Sequence, residues 1–386
     1  MKRNTWFDNK NKSLVNQTLR TQSKRGGFNM NRRDFINKAG IVIGGTALSG
    51  GITLASMDAL AKSVTNKEGG SIIRDSKRVD VHHHLIPPFW AAKLYAHGGD
   101  PSGWKLPKWS PESDIEYMDK LGIKTAMLAL TAPGISAWKK DEAVDMARKI
   151  NEYAAGLVSQ YPGRFGNFIV LPTQDIDASL KEIEYGFDTL KADGVVLLSN
   201  YDGVYLGEPR FDPILAELNS RSAFVFVHPG KPKIELVPGV VGPVLDYPFD
   251  TTRAALSLIA NGATSRYKNL KFSLSHAGGF LPYGAHRFSQ LLGMLNKVKP
   301  ESLIEEMQNF YFDTALASSP TSLPSLLAFA KPSHILYGSD IPYAGDAPTE
   351  WFTKNLDIYN GFAKGVLKSI NRKSAEVLFP RLKMKA

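Results

Sequence analysis

Three of the chain's eight histidines, His82, His83 and His84, stand in a row inside "VDVHHHLIPPFW". Three further candidates for chemistry each close an apolar run: His228 ends "AFVFVH", His276 ends "LKFSLSH" and Asp340 ends "HILYGSD". Alternate residues of a strand point to one side, so His82 and His84 converge while His83 faces the other way. Two imidazoles from one strand, a third from His228 and the Asp340 carboxylate make an N₃O set for one borderline divalent ion. Zinc is the expected metal, with manganese as the alternative. The chain has no cysteine, which excludes thiolate ligands, thiol nucleophiles and disulfides. An H-x-H on a strand is as readily structural as metal-binding. Imidazoles and a carboxylate at several strand ends are another matter, because polar groups in a partly desolvated barrel mouth are costly without partners. His276 stands one strand beyond His228, where it can orient a water or a substrate oxygen. His286 and His334 read as surface or packing residues, and His97 as a loop residue over the pocket.

The elements that must carry these residues follow from the pattern after Arg78. Eight apolar runs, 78–84, 125–130, 165–171, 194–199, 223–228, 270–276, 310–315 and 334–340, alternate with amphipathic segments. Val-, Ile-, Leu- and Phe-rich strands separated by helices indicate βαβ units and a parallel sheet buried on both faces. Eight of them count to a (β/α)₈ TIM barrel, in which the C-terminal strand ends form the active face. A doubly wound open sheet is the structural alternative, but no G-x-G-x-x-G follows the first strand. Two long insertions, 85–110 and 229–249, follow strand ends and are expected to wall an aromatic, proline-rich pocket, or merely to cover the barrel mouth.

The net charge of +10 sits mostly at the N-terminus. Residues 1–61 hold ten Lys/Arg against three acids, and the remainder holds 37 against 34, which leaves no basic stripe for nucleic acid. Arg32-Arg33, Phe35, Lys38, a charge-free stretch from Ala39 to Met57 and Ala59-Leu60-Ala61 resemble a twin-arginine export signal with an A-x-A cleavage site. A short amphipathic helix or an anchor is the other reading, although the run is short and glycine-rich for a spanning helix. Met30 is a candidate translation start. The expected organisation is an extension and signal over 1–61, a linker over 62–77 and one barrel domain over 78–386. The product would be exported by the twin-arginine machinery to the periplasm.

From "DVHHH", "GVVLLSNYDGVYLGEPRFDPILAELNSRSAFVFVHPG", "LSHAGGFLPYGAHR", "YFDTA" and "YGSDIPY", the chain resembles the amidohydrolase superfamily. The branch is amidohydrolase family 2, which contains aminocarboxymuconate-semialdehyde and γ-resorcylate decarboxylases. "GGDPSGWKLPKWSPES" and "IKTAMLALTAPG" look most like the 6-methylsalicylate decarboxylase group. The resemblance assigns metal ligation to His82, His84, His228 and Asp340, and makes His276 the active-site histidine. It also implies that Arg287, eleven residues after His276, reaches a neighbouring subunit's pocket to hold a substrate carboxylate, and hence a homodimer. An ordinary salt bridge is the other reading of Arg287, and Arg253 is a second cationic candidate. "LLSNYDG" stands where relatives with two metals carry a lysine, so one metal is implied.

The expected reaction is metal-dependent decarboxylation of a small aromatic or unsaturated acid such as a hydroxybenzoate, with Asp340 or His276 delivering the proton to the ring carbon. Hydrolysis of a lactone, amide or ester uses the same constellation and is the alternative. A non-catalytic metal-binding protein of the envelope would leave His276 without a task.

Overall fold

The computed structural model describes residues 72, 73 and 76–383. The expected signal segment and most of the expected linker lie outside the described residues.

Eight strands form one sheet in chain order: β1 (Arg78–His84), β2 (Ile123–Ala129), β3 (Phe165–Val170), β4 (Gly194–Leu198), β5 (Phe224–His228), β6 (Lys271–Leu274), β7 (Tyr311–Asp313) and β8 (Ile335–Leu336). Every neighbouring pair is parallel. The backbone N–H of Val81 donates to the Tyr337 carbonyl at 3.0 Å, and that of His84 to Ile341 at 2.8 Å. These bonds and a parallel bridge between His83 and Ile341 join the first strand to the segment after the last, closing the expected TIM barrel. All residues of β3, β4 and β5 are buried, as strands covered on both faces must be.

The longer helices are α1 (Pro88–Ala96), α2 (Pro111–Lys120), α3 (Lys140–Gln160), α4 (Ile176–Glu184), α5 (Asp212–Ser220), α6 (Gly242–Ala260), α7 (Leu281–Asn296), α8 (Pro300–Gln308), α9 (Ser322–Phe329) and α10 (Asp346–Ile358). Their burial follows sequence periodicity. In α3, Ala143, Met146, Ala147, Ile150, Ala154 and Leu157 are buried at three- and four-residue spacing. α2 starts at a capping box in which the Ser110 side chain accepts from the Ser113 N–H.

The last three strands are shorter than their apolar runs suggest, and in the runs that carry β6 and β8 the backbone leaves the extended region by the end of the run. After β6 the chain turns at His276 and Ala277, with φ of 54° and 56°, and after β8 at Asp340, with φ of 64°. A strand cannot continue through the left-handed region. The insertions also carry more regular structure than expected. The first contains α1, and the last eight residues of the second already belong to α6.

Candidate metal centre

At the C-terminal face, His82 and His84 occupy alternate positions of β1, His228 is the last residue of β5, and Asp340 follows β8. One ligand atom from each of the four lies within 4.8 Å of every other, and all four residues are buried. The Asp340 Oδ1 atom is 3.0 Å from His84 Nε2 and 3.2 Å from His82 Nε2.

Each imidazole is oriented through its other nitrogen. His82 Nδ1 is 2.9 Å from the Asp313 carboxylate, His84 Nδ1 is 3.1 Å from the Ala129 carbonyl, and His228 Nδ1 is 2.9 Å from the Pro229 carbonyl. Oxygen acceptors at all three positions fix the proton on Nδ1 and leave each Nε2 with its lone pair toward the centre. His82 Nε2 is buried without a hydrogen-bond partner, the 3.2 Å approach to Asp340 being off the line of a hydrogen bond. A buried set of lone pairs and one carboxylate is a poor arrangement on its own and a good one around a divalent cation.

The electrostatics agree. Burial pushes His82 down, yet Asp313 and Asp340 together outweigh it and lift the imidazole to about 10. The position thus demands positive charge. Burial also works to raise Asp340, but His82, His84 and His276 hold it well below the usual carboxylate range. His228 lies well below its ordinary value through burial and then through His84 and His82, and burial lowers His84. Both favour the neutral, metal-binding form.

His276 joins the centre by an irregular route. Its left-handed backbone swings the ring to 4.8 Å from that of His82, centroid to centroid. Its Nδ1 meets the Ala315 carbonyl at 3.1 Å, and the His276 backbone N–H donates to Asp313 Oδ1 at 3.0 Å. A Cβ on Gly279, just after this turn, would stand 1.9 Å from the Pro248 carbonyl, so the close approach to α6 requires glycine. Burial, and then His82, lower the His276 pKa.

The centre opens on a cavity of about 350 Å³. Both insertions line it, the first through Asp100 and Trp104 and the second through Pro243, Val244, Tyr247 and Pro248. Thr131, whose hydroxyl lies 3.1 Å from His228 Nε2, and Tyr343, whose ring stands edge-on to His84 at 5.4 Å, complete the floor. Burial, followed by the charges of Asp100 and Asp340, keeps the Tyr343 phenol well above its ordinary pKa.

Other candidates lie elsewhere. Arg287 is exposed on α7 and does not line the cavity of its own chain. Arg253, also exposed on α6, interacts with Tyr205 and does not line the cavity. His97 stacks on Trp138 at 5.2 Å and is absent from the cavity wall. His286 is exposed, and His334 stacks on Tyr311. At the end of β4, Ser199 and Asn200 both donate to Asp250, and no lysine stands there. Composition gave no signal for Asp313 as the residue that orients His82, beyond its place at the end of an apolar run. Nor did it mark Asp100 and Tyr343 as cavity residues.

The family model described as "Amidohydrolase" matches residues 79–380. The decarboxylase yanB of Aspergillus niger is 43% identical over 330 residues, covering 80% of this chain and 89% of that protein. The 6-methylsalicylic acid decarboxylase of Penicillium expansum is 40% identical over 315 residues, covering 79% of this chain and 97% of that protein. In structure, the chain is similar to the 5-carboxyvanillate decarboxylase of Novosphingobium aromaticivorans, solved with manganese and 4-hydroxy-3-methoxy-5-nitrobenzoic acid. The TM-score is 0.71 at 22% identity, with 81% of this chain and 100% of that one covered.

Proposed function

We propose that this chain, which belongs to the amidohydrolase family and is a carboxy-lyase of it, decarboxylates a small hydroxylated benzoic acid in its barrel-mouth cavity. One observation carries the reading: a buried His82–His84–His228–Asp340 set reaches an aromatic-lined cavity of about 350 Å³ through His228 and Asp340, with His276 beside them in the cavity wall. That volume suits a single substituted ring. Zinc is the metal assigned to the set, since three imidazoles and one carboxylate are borderline donors, with manganese the alternative for metal analysis to decide. When bound, the ion would supply Lewis-acid polarisation of a substrate oxygen.

The residues of the chain do the rest. Tyr343, Trp104 and Phe352 exclude water around the ring. His276, its Nδ1 committed to the Ala315 carbonyl, presents Nε2 to the substrate oxygen. Asp340, ionised at rest, takes up a proton from solvent and relays it to the ring carbon that bears the carboxylate, the C–C bond electrons stay with the ring, and CO₂ leaves. The relatives' decarboxylase names support this choice over hydrolysis. The deciding experiment incubates metal-loaded protein with a panel of hydroxybenzoates and lactones while following CO₂ and product mass. Loss of CO₂ supports the reading, and gain of one water on a lactone without CO₂ overturns it.

Two further assignments belong to this reading. A homodimer is supported by the exposed stripe Tyr283, Leu291, Met294 and Leu295 on α7, which surrounds Arg287. Arg287 would serve the second subunit's cavity, and an Arg287→Ala protein should then keep its metal while losing catalytic efficiency. Export to the periplasm by the twin-arginine machinery rests on Arg32-Arg33 and the stretch after them. Fractionation of cells carrying Arg32→Lys with Arg33→Lys tests it, with retention in the cytoplasm expected.

A further inference from the structure

Behind Nδ1, His82 has a carboxylate in direct contact, whereas His228 has the carbonyl of the next residue. That carbonyl is one end of a longer path. The Pro229 carbonyl and the Gly230 N–H belong to one peptide unit. The carbonyl lies 2.9 Å from His228 Nδ1, and the N–H donates to Ser199 Oγ at 2.8 Å. The Ser199 hydroxyl in turn donates to Asp250 Oδ2 on α6. His228, Ser199 and Asp250 are all buried, the last two completely.

Asp250 places a charge at the far end of this path. Tyr205 Oη donates to its Oδ1 at 2.6 Å and Asn200 Nδ2 to its Oδ2 at 2.7 Å, so with Ser199 three donors converge on two oxygens. That is the pattern of an ionised carboxylate, which only accepts. The parts are held in register. The Ser199 backbone N–H donates to the His228 carbonyl at 2.8 Å, and Asn200 Nδ2 also reaches the Lys231 carbonyl at 3.3 Å, tying the loop after β5 to the end of β4. The Thr131 hydroxyl stands 3.3 Å from His228 Nδ1 and 3.1 Å from Nε2. The axes of the two ring nitrogens diverge, so a hydroxyl nearly equidistant from both lies along neither.

Every hydrogen bond on the path runs in one sense, from His228 Nδ1–H to Pro229, from Gly230 N–H to Ser199 and from Ser199 O–H to Asp250. Bonds in such a row polarise one another, and a bonded N–H makes the carbonyl of its own peptide a stronger acceptor. We propose that Asp250 is a positioning residue for the metal centre. Through Ser199 and the 229–230 peptide it holds the proton on His228 Nδ1 and strengthens Nε2 as a metal donor, as Asp313 does for His82 by direct contact. α6 also supplies Tyr247 and Pro248 to the cavity wall, so one helix both walls the cavity and orients the ligand. The relay requires His228 to be a metal ligand and is independent of the reaction catalysed.

The test compares Ser199→Ala, which cuts the path, with Tyr205→Phe, which removes a hydrogen bond of the same carboxylate outside it. Zinc affinity is measured by competition with a chelator, beside the d–d spectrum of cobalt-loaded protein and urea unfolding of metal-free protein. Ser199→Ala should lower zinc affinity about tenfold, the lower end of the effect of groups that orient a ligating histidine, and shift the cobalt bands. Tyr205→Phe should leave both at their wild-type values. Asp250→Asn keeps the side-chain volume and should also weaken zinc binding, which provides the reading if Ser199→Ala does not fold. Wild-type affinity and spectrum in the folded variants, or affinity losses that merely follow stability losses in all three, overturn the relay. Intact zinc binding in His228→Ala would instead overturn the ligand assignment, and the relay with it.

Discussion

His83 and its two neighbours on β1 are the same residue type in consecutive positions, yet they meet opposite conditions. His83 Nδ1 lies 3.0 Å from Asp80 Oδ2, and its Nε2 lies 2.9 Å from Asp114 Oδ2 on α2. Both ring nitrogens are engaged by carboxylates, so the ring acts as a buried cation that ties the barrel to the helix layer. Burial pushes it down, but Asp114 and then Asp80 outweigh burial and lift it to about 10. His82 and His84 have Nδ1 held by the Asp313 carboxylate and the Ala129 carbonyl, and their Nε2 atoms turn to the barrel axis, where both approach the single Oδ1 of Asp340 beside His228. Histidine in a barrel strand therefore becomes ligand or brace according to whether its second nitrogen has a carboxylate to itself or converges with other imidazoles on a shared one.

The largest effects should separate the two kinds. His84→Ala and His228→Ala are expected to lose metal and activity together. His276→Ala should keep its metal and lose activity by about 10²–10⁴, the usual contribution of a positioned acid or base. His83→Gln should keep a full metal content while becoming less stable by about 3–5 kcal/mol, because Asp80 and Asp114 are left buried without their cation. Elemental analysis beside chemical denaturation checks all four. A folded His83→Gln protein without metal would break the comparison.

A smaller effect would sharpen it. Asp313 bonds His82 Nδ1 through Oδ2, and its Oδ1 accepts the N–H groups of His276 and Ala315. Asp313→Asn retains the shape but loses the charge that fixes the His82 tautomer. Metal affinity is expected to fall about 10–100-fold, as for other groups that orient a ligating histidine. A competition titration with a chelator measures it, and an unchanged affinity would show that the tautomer is set elsewhere.

Much of this division was legible in the sequence. Alternation along "VDVHHH" was enough to send His83 to the helix layer and its neighbours inward, and the apolar runs ending in His228 and Asp340 marked where the other ligands would arrive. His276 was legible as a residue but not as a geometry, since a left-handed turn beyond a strand leaves no periodic trace. Asp313 stayed hidden for another reason. It meets His82 across 231 residues of chain, and only barrel closure brings β7 beside the first strand's axis-facing side. Arg287 shows the limit from the other direction, because it is exposed on α7 and away from the cavity of its own chain, so a role in a second subunit's cavity leaves no mark there.

The smallest expected effect is a slope. The folded-state pKa of His83 is about 10 and its ordinary value is 6.5, so the folded protein binds the extra proton between those two values. The stabilisation is fully present below about pH 6.5, declines by at most about 1.4 kcal/mol per pH unit as the pH rises, and is gone above about pH 10. Other groups titrate in the same window, His82 among them in metal-free protein, so the wild-type curve alone does not isolate His83. Asp114→Asn does, because it keeps a hydrogen-bond acceptor beside Nε2, removes one of the two charges that hold the proton, and touches no metal ligand. Urea unfolding of both proteins from about pH 6.5 to about pH 9.5 should show wild-type stability falling more steeply than that of the variant. Parallel curves would mean that His83 is neutral in the folded protein, and the brace would then be a hydrogen-bonded imidazole in place of a buried cation.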